Sequence, residues 1–162
     1  MKAELFSSDF VMALFLFLIA IVIFEIFYSN LYSEINDYKI RNDLQAKVNS
    51  VADVLITSSG DPLYWDNNTV KIIGLFDSGL INLTKFEELK KIEYYTAKRM
   101  MGVRNYEIYI ELKNKTGDVI NNYKYGNKED ESANQVFYVK RLGLIDLNGN
   151  VTKAILYVGV WS

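Results

Sequence analysis

Between Phe10 and Tyr28 the chain reads FVMALFLFLIAIVIFEIFY, eighteen apolar residues and one charge, Glu25. No Gly or Pro interrupts the run, so a helix is expected. At about 1.5 Å per residue it spans roughly 28 Å, close to the hydrocarbon thickness of a bilayer. A secretory signal peptide has a shorter apolar core followed by small residues at a cleavage site. Phe24, Glu25, Ile26 and Phe27 stand in that place here. The segment is therefore expected to stay in the working protein, as an anchor or as something that begins as one.

The remainder of the 162 residues is the size of one domain. Cysteine and histidine are both absent, which removes disulfides, thiol chemistry, the commonest general base and the commonest metal ligand. After Tyr28 there are seventeen basic and seventeen acidic residues, so no basic surplus invites nucleic acid. Lys85, Lys90, Lys91, Lys98 and Arg99 fall in one predicted helix, but Glu87, Glu88 and Glu93 are interleaved with them. That pattern reads as a solvated face. No Gly-rich phosphate loop, nucleophile elbow or metal-ligand cluster is present; Asn127 to Glu131 offer hard oxygen ligands but lack the ordered spacing of a calcium loop, which leaves calcium there a minor alternative. Neither an enzyme, nor a cofactor, nor a small-molecule substrate is expected.

Directly before the apolar run stand Ser7, Ser8 and Asp9. Their side-chain oxygens suit the unpaired N–H groups of a first helical turn, and a carboxylate suits the positive end of the helix dipole. On that reading alone, Asp9 caps a membrane helix. The whole arrangement also resembles a class III signal peptide: a short charged leader, small polar residues, an acid, Phe, then an apolar helix. It is similar to the type IV pilins, and among them to the archaeal ones, where a Gln-x-Ser-x-Glu/Asp-Phe pattern precedes the helix. The match is Leu5-Phe6-Ser7-Ser8-Asp9-Phe10, with Leu5 where Gln is usual.

This resemblance implies that a prepilin peptidase cuts between Glu4 and Leu5. Glu4 stands where a small residue is usual, and a cut after Ala3 is the substitute. It implies a leader over 1–4, a transmembrane or filament-core helix over 5–28, and an extracellular head over 29–162. Ser7, Asp9 and Phe10 then belong to assembly. In a filament core the Asp9 carboxylate would meet the freed α-amine of a neighbouring copy, fixing axial register because an unpaired charge there is very costly. Glu25 lies sixteen residues on, about 24 Å along a helix. It reaches the membrane interface or contacts a neighbouring subunit. The implied partners are further copies of the chain, the peptidase and pilus assembly machinery, and the membrane.

From Ser29 to Ser58 there is again no Gly or Pro. Leu31, Ile35, Tyr38, Leu44, Val48, Val51 and Leu55 recur mostly at intervals of three or four, the spacing of one helical face. Glu34, Asp37, Lys39, Arg41, Asp43, Lys47 and Asp53 occupy the other face. One helix from about Phe6 to Ser58 is expected, ended by Ser58-Ser59-Gly60-Asp61-Pro62. Val70 to Ile73 is a brief strand or a core-directed connector. Thr84 and Glu87 form a capping-box pattern before an amphipathic helix that ends at Gly102. The period then becomes two, over Tyr106–Lys113, Val119–Tyr125, Gln135–Leu144 and Val151–Trp161. In the first of these, Tyr106, Ile108, Ile110 and Leu112 share a face, with Glu107, Glu111 and Lys113 opposite. The expected fold is α+β, pilin-like: a long N-terminal helix packed on an antiparallel meander of about four strands.

Asn67, Asn82, Asn114 and Asn150 each begin an N-x-Thr sequon. Fifteen Asn and sixteen Ser plus Thr predict roughly one or two by chance. All four lie in predicted loops or turns, which suits glycans on an extracellular surface. Two other readings stay open beside the major filament subunit. One is a permanently anchored extracellular binding or sensing domain, and the other is a minor pilin or pseudopilin that primes a filament or secretion machine.

Overall fold

The computed structural model describes residues 8–162. The proposed cut between Glu4 and Leu5, and Ser7, lie outside the described residues. Two compact units divide the chain, one ending at Ile40 and the other running Arg41–Ser162. A single helix, α1 (Ser8–Thr57), contributes to both.

In the C-terminal unit α1 offers Leu44, Val48, Val51, Ala52 and Leu55, all buried. Their three- and four-residue spacing makes one stripe. The stripe is shorter than the sequence suggests, since Leu31, Ile35 and Tyr38 are exposed. The helix stops where expected. Gly60 takes a positive φ of 82°, and its N–H donates to Ser58 Oγ. The chain then doubles back, and the N–H groups of Leu75 and Phe76 donate to the carbonyls of Leu55 and Ser58. Acceptors at the end of the helix are thus satisfied from within the protein.

Val70 and Ile73 are buried in a connector that makes one isolated bridge, Asp61 to Ile72. A two-stranded hairpin follows, β1 (Phe76–Asp77) and β2 (Leu80–Ile81), which the sequence reading did not contain. The single amphipathic helix expected before Gly102 is two helices, α2 (Leu83–Lys91) and α3 (Tyr94–Met100). Ile92 leaves helical geometry at ψ 135°, and the Glu93 carboxylate accepts from the N–H groups of Tyr95 and Thr96, starting α3 afresh. Asn82, not Thr84, caps α2 by accepting from the Lys85 N–H.

Four strands complete the unit: β3 (Glu107–Lys113), β4 (Val119–Gly126), β5 (Val136–Leu147) and β6 (Asn150–Trp161). All pairings are antiparallel, but the order is β4-β3-β6-β5, which is not a meander. β3 and β6 form the centre, and the segment 127–135 carries the chain from one edge strand to the other. β5 and β6 meet in a two-residue turn, Asn148-Gly149, with φ of 56° and 86°. That geometry matches the twist of a tight hairpin, and Asn-Gly is the pair that tolerates it. One sheet face sends Ile108, Ile110, Leu112, Leu156, Val158 and Val160 into the core, where α1 packs. Each such side chain, fully buried, contributes about 1.5–3 kcal/mol before entropy is counted.

Candidate assembly helix and the aromatic face of the sheet

Asp9 sits in the first turn of α1, where the helix dipole favours a carboxylate. From Phe10 on, every large apolar side chain to Tyr28 is exposed, from 41% at Ile19 and Ile21 to 67% at Phe24. No face of this stretch is polar, so the segment is apolar all round, the pattern of a helix meant for lipid or for other apolar helices. Glu25 is its one charge within that run. Beside it the rings of Phe24 and Tyr28 stack at 6.4 Å, and the two line a shallow cleft with Glu25, Ser29 and Tyr32.

The four sequon asparagines stand in different local settings. Asn150 is exposed at the start of β6. Asn67 lies in a turn held by the Asp66 carboxylate, which accepts from the Asn68 and Thr69 N–H groups. Asn114 opens the β3–β4 turn, accepting from the Thr116 hydroxyl and the Asp118 N–H. Asn82 is engaged at both ends of its amide. Its oxygen caps α2, and its Nδ2 donates to Asp77 Oδ2 at 3.1 Å.

The face of the sheet turned away from α1 holds a group that alternation alone places in solvent. Glu111 is 1% exposed. Its Oε1 pairs with the Lys113 ammonium, and its Oε2 accepts from the Tyr109 hydroxyl at 2.8 Å. Lys113 also lies 4.3 Å from the Tyr157 ring centroid, and Tyr157 stacks on Tyr138 at 4.7 Å. Tyr138 fits because its neighbour across the ladder is Gly159, where a Cβ would strike the ring. Segment 127–135 brings cover: Lys128 lies over the Tyr109 ring at 5.8 Å, and Glu129 bonds Tyr138. Burial, then hydrogen bonds to Glu111 and Glu129, push the Tyr109 and Tyr138 hydroxyls well above their ordinary range. A buried carboxylate persists only when paired, and this one has a cation and a phenol.

Two lysines expected on a solvated face are buried. Lys85 is 5% exposed and donates to the Ser59 carbonyl at 2.7 Å; burial lowers its pKa. Lys98 is 3% exposed, pairs with Glu107 Oε1 at 2.6 Å, and lies within 5.4 Å of the rings of Tyr94 and Tyr95. The Tyr94 hydroxyl donates to Glu107 Oε2 at 2.7 Å. Spacing in the sequence placed these lysines on a helix but not beneath the strand and loop that cover them. Among the described residues, no group of three or more acidic side chains is placed to hold a metal ion.

Fold and site together define an α+β chain with, among the described residues, one helix long and apolar enough to cross a membrane, set before a compact unit tied by ionic and aromatic contacts. No protein-family model matches the chain, and no curated protein or solved structure was found similar to it.

Proposed function

We propose that the chain is a structural subunit of a surface filament of the archaeal type IV pilus kind, held in the membrane before assembly and polymerising through the apolar part of α1. What carries this reading is a contrast within one continuous helix. Its residues from Leu44 to Leu55 are spent on the core of the C-terminal unit, while Phe10 to Tyr28 keep every large apolar side chain exposed. Water does not tolerate so large an apolar surface, so it needs lipid or copies of itself. The helix meets both demands in turn: lipid first, then neighbouring helices, with Asp9 setting register against a neighbour's α-amine.

The test is made on the full chain in a host with pilus machinery. The mature protein should begin at Leu5, or at Glu4 if the cut follows Ala3. Electron microscopy should show fibres containing it, and Asp9→Ala should cut fibre yield at unchanged membrane levels. A chain that keeps Met1, yields single molecules in detergent and gives no fibres overturns the reading in favour of a permanent anchor bearing an extracellular binding domain.

A further inference from the structure

The two edges of the four-stranded sheet are unlike. β4 is blunted: Asn121 and Asn122 take positive φ of 42° and 60°, and the ladder to β3 shifts register beside them. A kinked edge of this kind resists pairing with another strand. β5 is regular over twelve residues and pairs with β6 along its whole length. Its other edge makes no strand pairing and no backbone–backbone hydrogen bond among the described residues. Lys140, Leu142, Leu144 and Asp146 share the face away from α1, and all four are exposed, Leu142 by 66%. The opposite face of β5 is committed inward. Ile145 is buried, Arg141 holds Asp53, and Gly143 lies under Ile81.

Read along this edge, the outer-face residues Lys140, Leu142, Leu144 and Asp146 are complementary to themselves about Gly143. We infer that β5 is a docking edge for β5 of a second copy of this chain, paired antiparallel about a two-fold axis through Gly143. In that register Lys140 of each copy faces Asp146 of the other, and Leu142 of each faces Leu144 of the other. Opposite charges and apolar pairs directly across an antiparallel ladder are each favourable, and the free N–H and C=O groups gain partners. A two-fold contact is isologous, so it joins two copies rather than propagating a fibre. It therefore stands apart from packing through α1 and holds whether or not α1 bundles.

Disulfide trapping of the full chain in detergent reads the register, because the native sequence contains no cysteine. Directly opposed Cα atoms lie about 4.5–5.5 Å apart, within disulfide reach. Chains carrying Leu142→Cys, mixed with chains carrying Leu144→Cys, should therefore give a cross-linked mixed dimer. Either variant alone should stay at the background set by Val151→Cys, an exposed site on the neighbouring strand. Lys140→Glu puts like charges opposite each other at both ends and should weaken trapping about tenfold. Adding Asp146→Lys should restore it. Equal cross-linking in every mixture, no cross-linking in the 142 and 144 mixture, or trapping indifferent to Lys140→Glu would each overturn the pairing.

Discussion

Arg141 on β5 reaches Asp53 on α1, with Nε 2.7 Å from Oδ1 although the two are 88 residues apart. The same guanidinium donates through Nη2 to Asn49 Oδ1 at 2.9 Å. One side chain thus bridges two positions a helical turn apart and fixes how the sheet edge meets the helix. The Arg141 and Asp53 side chains are 30% and 56% exposed, which limits the value of the charge pair. Asp53→Ala should cost about 0.5 kcal/mol and Arg141→Ala about 1 kcal/mol, since only the latter also deprives Asn49. Both tryptophans, Trp65 and Trp161, are buried in this unit, so their fluorescence during denaturant unfolding measures the difference. Equal losses would show that the Asn49 contact contributes nothing.

Acid should unfold the C-terminal unit partly through Glu107. Burial pushes its pKa up, but hydrogen bonds from Lys98 and Tyr94 and the Lys98 charge outweigh that and hold it below the ordinary 4.5. A depressed carboxylate stabilises the fold above its unfolded pKa, and that stabilisation is lost as pH falls through the folded value. Glu107→Gln should therefore flatten the decline below pH 4.5. It should also lower stability at neutral pH, because buried Lys98 loses its counter-charge. An unchanged acid profile would remove Glu107 from the account.

Much of this fold was legible because local signals and tertiary packing agree. The end of α1 at Ser58-Ser59-Gly60 and the four long strands follow from spacing and turn chemistry. Strand order does not. Alternation shows that a strand has two faces, but says nothing about which strand lies beside it, so β6 between β3 and β5 was invisible. Lys85 and Lys98 were misplaced for a related reason. Their cover comes from residues distant in sequence, and a charge looks solvated until its burial partner is known. The break at Ile92 was hidden because Phe86, Leu89 and Ile92 continue a helical period right up to it. Asp9, Phe10 and Glu25 lie on α1, within the helix the sequence predicts.

Asn82 carries two roles that substitution separates. As the cap of α2 it supplies an oxygen to the Lys85 N–H, and as a sequon it offers its amide nitrogen. Asn82→Ala should cost about 1 kcal/mol, the usual loss for a missing cap. Asn82→Asp keeps the capping oxygen but loses the Nδ2 donor to Asp77 and sets two carboxylates side by side, so it should recover only part of that loss while abolishing the sequon. Intact-mass measurement of protein from a glycosylating host, together with unfolding of both variants, gives the comparison. Equal destabilisation by Ala and Asp would mean that the amide group, or a glycan on it, matters more than the cap.

Alkali should reveal how many phenols the fold protects. Of the twelve tyrosines, burial pushes Tyr94, Tyr109 and Tyr138 far up and raises Tyr125 to about 12. A phenol whose folded pKa is raised gives its full stabilisation below the unfolded value of 10.0, and loses it as pH climbs from there toward the folded value. Phenolate absorbance should therefore rise in two stages. A fraction titrates while the tryptophan emission is still native, and a late fraction appears only as that emission changes. Tyr138→Phe tests the assignment, because it retains the stack on Tyr157 and the fit over Gly159 but removes the hydroxyl bonded to Glu129. It should subtract one group from the late fraction and make stability above pH 10 less steeply dependent on pH. A single stage, complete while the fluorescence is native, would mean that the tyrosine face opens to solvent without unfolding. The ionic lock of Glu111 with Lys113 and Tyr109 would then contribute little to closing it.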